Sequence, residues 1–217
     1  MKNKKFFFRL PLLLMGVMLV FANGCNEEDI ETNDDGNTFT DQRDGKVYQI
    51  VTIGNQVWMA ENLAYKPNSG NYWAYNNDNS NVEIYGYLYD WETAQNVCPS
   101  GWHLPSDGEW RELSSYLGGY QVAGAKLRAT GTIEAGTGLW FESDIDATNE
   151  TGFTALPGGA FGSNGNFTSL GYNGYWWSTS EYPDGRIWTR YIWYNLSNLA
   201  PAKSLKTSGN SVRCVRD

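Results

Sequence analysis

The sequence predicts a single α+β domain in which two early helices pack on short antiparallel strands. Helix signals, a capping box among them, end by Arg128, and the chain beyond is rich in glycine and aromatics with short strand-like stretches. Aromatic residues at 15% and charged residues at 18% of 217 supply a large core and exclude a disordered chain. No internal repeat divides it.

Residues 1–24 stand apart as an address. Lys2, Lys4, Lys5 and Arg9 precede an apolar run from Leu10 to Ala22, the pattern of a secretory signal peptide. The string Ala22-Asn23-Gly24-Cys25 resembles a bacterial lipobox, with Asn23 departing from the usual small residue. Cys25 is therefore expected to be lipidated, the alternative being a free thiol beside a conventional cleavage site. Acyl chains at about 0.8 kcal/mol per buried methylene would anchor the chain to a membrane. Asn26–Asp44 carries eight acids against Arg43 and few apolar residues, so 25–44 reads as a lipidated cysteine and disordered acidic tether. Glu27-Glu28-Asp29 resembles the export signal of Bacteroidetes lipoproteins, which implies the outer face of the outer membrane. A spacer that is merely acidic is the plainer reading.

The globular domain is expected over 45–217. Lys46–Ile53 and Gln56–Glu61 read as a hairpin, with Gly54 supplying the positive φ of a two-residue type II′ turn at Gly54-Asn55. Residues 66–82 are turn-rich and read as a surface loop. Trp91, Ala94 and Cys98 fall on one face of a short helix over Trp91–Val97. Ser106 and Glu109 form a capping box, and Trp110, Leu113 and Leu117 repeat at helical spacing up to Gly118-Gly119. Val122–Arg128 adds a further turn of helix. Strand-like stretches follow at Phe153–Leu156, Tyr175–Ser180, Ile187–Tyr194 and Ser211–Val215.

Five ordered blocks carry a resemblance: GNQVWMAENL (54–63), GYLYDWETAQNVCPSGWHLPSDGEW (86–110), TGFTALPGG (151–159), YWWSTSE (175–181) and SVRCVRD (211–217). The series is similar to the Fibrobacter succinogenes major paralogous domain. That resemblance implies a secreted or lipid-anchored bacterial protein and no particular activity. More distantly, the pattern Trp91, Ala94, Cys98, Gly101, Leu104, Glu109 and Leu113 resembles the opening helices of C-type-lectin-like domains. Such domains bond a cysteine on the first helix to one in the final strand, which implies a disulfide between Cys98 and Cys214.

Chemistry is harder to find. A formal net charge of −8 opposes nucleic-acid binding, which needs clustered Lys and Arg to displace counterions. The sugar-binding tripeptides of calcium-dependent lectins are absent. Asp144, Asp146 and Glu150 lack EF-hand spacing, so no metal is expected, and no cofactor motif is present. The one histidine, His103, has no nucleophile motif beside it and reads as a packed, hydrogen-bonded residue. Glu109 is committed to its cap, so Glu109 and Glu112 make a poor acid–base pair. The chain is not expected to be an enzyme.

What remains is an aromatic and charged cluster: Trp177, Asp184, Arg186, Trp188, Arg190 and Trp193. Adjacent Trp176 and Trp177 point to opposite faces of a strand, while Trp188 and Arg190 share one. One face could display indole and guanidinium groups to a glycan or protein; alternatively the tryptophans fill the core. The Pro183-Asp184-Gly185 turn and the loop Gly162–Asn173 would border such a site. The expected function is a surface-anchored, non-catalytic module binding a glycan or protein partner. A structural component of a cell-envelope or pilus-like assembly is the alternative.

Overall fold

A computed structural model of the chain describes residues 36–217. The signal segment 1–24, the lipidation site Cys25 and the acidic stretch up to residue 35 lie outside the described residues. The described chain mixes helix and sheet, with sheet predominating.

The chain enters the fold earlier than its charge suggests. Residues Thr38–Thr40 form strand β1, paired antiparallel with β2 (Val47–Ile53). Phe39 is buried against Trp102, with ring centroids 5.1 Å apart. Arg43 grips the buried Asp41 carboxylate through Nε and Nη2 and donates from Nη1 to the Val97 carbonyl. The tether expected over 25–44 is thus corrected at its C-terminal end: one phenylalanine and one ion pair outweigh the local acidity.

The β2–β3 (Gln56–Met59) hairpin forms as expected, Ile53 facing Gln56 across two turn residues. Gly54 has φ +64° while Asn55 is not left-handed, which matches a type II′ turn. Residues 66–82 are more ordered than a loop. They contain β4 (Tyr72–Trp73), a 3₁₀ turn at Tyr75–Asn77 and the start of α1 (Ser80–Tyr85). Asn76 and Asn77 take positive φ there, a conformation their turn-like composition signals but whose helical continuation it hides.

Strand β5 (Leu88–Tyr89) leads into α2 (Trp91–Ala94), shorter than expected and capped by the Asp90 carboxylate on Thr93 N–H. After β6 (Trp102–His103) comes α3 (Asp107–Tyr116), where both arms of the Ser106–Glu109 capping box are made. Gly118-Gly119 separates it from α4 (Tyr120–Leu127). The later strands are β7 (Gly158–Phe161), β8 (Phe167–Leu170), β9 (Asn173–Glu181), β10 (Ile187–Trp193), β11 (Ala200–Ser204), β12 (Asn210–Ser211) and β13 (Val215–Arg216). Phe153–Leu156 makes only a single bridge, Ala155 to Arg128, because Thr154 adopts φ +54°. Ser211–Val215 is split between β12 and β13, which belong to different sheets.

One sheet runs β1-β2-β3-β13-β6; the other runs β11-β10-β9-β12-β5-β4, with β7 and β8 joined at β9. Pairing is antiparallel except at β12–β9 and β7–β9, which are parallel. Cys98 and Cys214 are bonded, their Cα atoms 6.0 Å apart across 116 residues of sequence. Strand β9 separates two cores. Trp177 enters one, with Tyr89, Trp91 and Trp102; Trp176 enters the other, with Trp58, Trp110, Trp140 and Phe153. Alternation does send the two indoles opposite ways, but both faces are covered. Trp177 donates to the Tyr89 carbonyl (2.7 Å), and Trp176 to Asn62 Oδ1 (2.9 Å). These two rings thus enter the core with their N–H groups bonded, whereas the buried Trp102 Nε1 has no partner among the described residues.

His103 is less packed than the sequence suggests, yet it is fully bonded. Its Nδ1 lies 2.6 Å from Asp217 Oδ1 and its Nε2 2.7 Å from Glu109 Oε1, joining α3 to the chain end. Partial burial pulls the imidazole pKa down, but hydrogen bonds to Glu109 and Asp217 outweigh it, and the net direction is up. Glu109 moves the other way. Burial raises its pKa, and the Ser106 and His103 bonds more than reverse this. The imidazolium's contribution is complete below its unfolded pKa near 6.5 and fades as pH rises through the raised folded value. Glu109's contribution is complete above 4.5 and fades as pH falls through its lowered folded value. The clamp is therefore strongest between about pH 4.5 and 6.5. Urea melts of the wild type and His103→Gln across pH 4–9 should show a gap below about 1 kcal/mol, given solvent screening, that closes above neutrality. A gap that persists at pH 9 would assign the residue a packing role.

Candidate functional site

The six residues proposed for binding do not converge. Trp177 is fully buried, so it serves the core. Arg190 is 3% exposed and is held by Asp107, Nη2 to Oδ1 2.5 Å, beneath the start of α3. These two are removed from any binding face: Trp177 pairs with Thr189 and Arg190 with Trp176, so they lie on opposite faces of the sheet, and each is buried there. Asp184 and Arg186 form an exposed ion pair at the β9–β10 turn, 2.6 Å apart. Trp188 is half-buried near them. It meets Tyr182 edge-on at 5.0 Å, and the Lys203 ammonium lies 3.3 Å from the Tyr182 ring centroid. Trp193 is 42% exposed but sits five residues along β10, roughly 17 Å away at strand rise.

Trp193 marks the better-formed surface. Around that end of β9 and β10, three segments bring aromatic rings together. Phe141 stacks on Tyr172, with centroids 4.2 Å apart and planes 29° off parallel. Tyr194 stands edge-on to Tyr172 at 5.4 Å. The backbone fixes this arrangement: Phe141 N–H donates to the Gly171 carbonyl (3.0 Å) and Tyr194 N–H to the Tyr172 carbonyl (2.8 Å). Gly171 is required, because a Cβ there would lie 2.7 Å from the Phe141 ring. Tyr172 is 44% exposed, with exposed Ile133 and Leu196 in addition.

Beside Phe141 opens a cleft of about 330 Å³, lined by Arg128, Thr132, Trp140, Ser143, Asp144 and Asp146 among others. Arg128 is buried and acts as a strut. It donates to the carbonyls of Tyr194 and Ile145, the latter at 2.6 Å, and its guanidinium lies 5.5 Å from the Trp140 ring centroid. Burial lowers its pKa, and Asp146 opposes the shift. It ties the 143–145 loop to the end of β10. Asp144 and Asp146 are exposed on the rim, along with nearby Glu142 and Glu134. Glu150 is turned aside to Lys126, 3.1 Å away. Among the described residues no group of three or more His, Cys, Asp or Glu side chains is placed to hold a metal ion, and no helix is long and apolar enough to cross a membrane.

Such an arrangement pairs aromatic rings with hydrogen-bond acceptors. Exposed ring faces stack on the C–H faces of a sugar, and rim carboxylates accept from its hydroxyls. Phe141, Tyr172, Tyr194 and Arg128 escape sequence reading because they lie 13 to 66 residues apart; the nearest signal is the aromatic-rich stretch after each turn.

The family model for the Fibrobacter succinogenes major domain matches residues 51–216. No curated protein and no solved structure matches the chain.

Proposed function

The chain belongs to the Fibrobacter succinogenes major domain family, and from that premise we propose that it is a non-catalytic glycan-binding module held at the bacterial outer surface by a lipid on Cys25. The Phe141–Tyr172–Tyr194 platform, with Tyr172 exposed and the other two rings half-buried, carries the reading together with the Asp144–Asp146 cleft beside it. It combines a stacking surface with hydrogen-bonding groups, held rigid by Arg128 from below. Anchoring is supported by the basic signal segment, the lipobox-like Ala22–Cys25 and the acids that follow. A C-type-lectin-like fold is supported by the Cys98–Cys214 bridge joining the region after α2 to the last strands. The ligand cleft then lies in the long stretch between helices and final strands. Assembly with a protein partner is the second reading, favoured by the exposed Tyr116, Tyr120 and Val122 on α3 and α4.

A glycan array probed with the full chain in mild detergent, with calcium and with chelator, tests this. Binding should survive chelation, fall at least tenfold in Tyr172→Ala and persist in Trp188→Ala. A calcium requirement would reassign the rim carboxylates as metal ligands. Loss in Trp188→Ala alone would move the site to the β9–β10 turn. A folded chain silent across the array would favour assembly.

A further inference from the structure

We infer that the tip of the β7–β8 hairpin is a second sugar-binding subsite, selective for uncharged saccharides; as a sugar site it rests on the glycan reading above. A concavity of about 500 Å³ opens there, within the usual range of small-molecule sites. Ser163, Asn164, Asn166, Thr168 and Ser208 line it with hydroxyl and amide groups, and Phe167 supplies a ring. No lining residue carries a charge. Every polar group offered to a ligand is thus a neutral donor or acceptor, which matches sugar hydroxyls and leaves a carboxylate or sulfate without a counter-charge.

The floor is preorganised. Phe167 tilts against Phe161 (5.0 Å) and Tyr75 (5.2 Å), and Phe161 stacks on Trp73 at 4.2 Å with planes 22° apart. Phe167 remains half-exposed on top of this pile. The rim is fixed by backbone. Gly162 N–H donates to the Asn166 carbonyl (2.8 Å), and the Asn164 side chain accepts from Asn166 N–H (3.2 Å). Phe161 and Gly209 exchange both backbone hydrogen bonds, at 2.9 and 2.7 Å, which brings Ser208 to the hairpin tip. The Asn166 side chain points to no structural duty in this network, so it is available to a ligand.

Strand β8 links this subsite to the platform, since Phe167 and Tyr172 are five residues apart, at most about 17 Å. The platform rim is acidic and the hairpin tip is uncharged. Both disfavour acidic polymers, and a neutral oligosaccharide suits each.

Calorimetric titration of the full chain in mild detergent with cellohexaose, laminarihexaose, mannohexaose and the hexamer of galacturonic acid tests the assignment. At least one neutral hexamer should bind and the galacturonate hexamer should not. The double variant Asn166→Ala/Ser208→Ala, which leaves the aromatic pile and every backbone bond in place, should weaken binding about tenfold. Phe167→Ala should weaken it further, with near-UV circular dichroism checking the fold. Binding untouched by the double variant but lost in Tyr172→Ala overturns the subsite and keeps the platform. Loss in the double variant with Tyr172→Ala unaffected keeps the subsite and overturns the platform. Preference for the galacturonate hexamer, or no neutral hexamer bound by the folded wild type, overturns the assignment.

Discussion

Replacing Cys98 and Cys214 together by alanine is expected to lower the unfolding free energy by about 4–5 kcal/mol and the urea midpoint by about 2 M. The bridge spans 116 residues, so its loss returns a large loop-closure entropy to the unfolded chain. Its native-state position adds to the effect. Cys214 is fully buried, and its carbonyl accepts from Met59 N–H at 3.0 Å, between the β12 and β13 pairings. From the next residue, β13 is inserted between β3 and β6. The C-terminal segment therefore holds the smaller sheet together, and the bridge fixes it to the turn after α2. Reduction of the wild type under native conditions should give the same shift as the double variant. A change below 1 kcal/mol in both would mean that the sheet contacts alone hold the segment.

Local features of this fold are legible in the sequence. The capping box at Ser106–Glu109 and the Gly54-Asn55 turn are written in consecutive residues whose geometry neighbouring atoms decide. The Cys98–Cys214 pairing was legible through family resemblance. Features decided by distant partners were not. Phe39 lies in an acidic stretch, and only Trp102, more than sixty residues away, explains its burial. Trp176 and Trp177 alternate as a strand requires, yet nothing in that dipeptide says that a core lies on each side. Arg190 read as a surface guanidinium because its counter-ion, Asp107, arrives from α3. The platform failed for the same reason: Phe141, Tyr172 and Tyr194 are unremarkable singly and meet only once β9 and β10 pair. Of the expected cluster, only Trp193 lies at that end of the sheet.

Arg213 shows the same principle at its most costly, and Arg213→Met is expected to destabilise the domain by about 3–5 kcal/mol. The side chain is fully buried, and the structure gives it no carboxylate in hydrogen-bonding contact. Its guanidinium is instead shared among neutral acceptors: Asn62 Oδ1 at 2.9 Å and the carbonyls of Phe153 (2.6 Å), Met59 (3.2 Å) and Thr154 (3.3 Å). The Phe153 ring lies 4.3 Å from the guanidinium carbon, adding a cation–π contact. Burial pulls the pKa down to about 9, with only distant Glu61 opposing, so the group is still charged at neutral pH. Methionine would fill the space, but three carbonyls and part of Asn62 would lose donors, those of Met59, Phe153 and Asn62 in the buried core. Asn62 is the hub's other half: Oδ1 also accepts from Trp176 Nε1, and Nδ2 donates to the Tyr85 carbonyl at 2.9 Å. Losing either residue disrupts the same network, so Asn62→Leu and Arg213→Met should be far from additive, with a coupling of about 1–3 kcal/mol in a double-mutant cycle. Arg213→Lys should recover only part of the loss. Its three donors on one nitrogen cannot reach acceptors spread around a planar fork. Full recovery by lysine, or additivity with Asn62→Leu, would show that charge alone matters and that the fork geometry does not. The sequence blocks ENL and SVRC, 151 residues apart at Asn62 and Arg213, would then need a reason other than this contact to meet in the core.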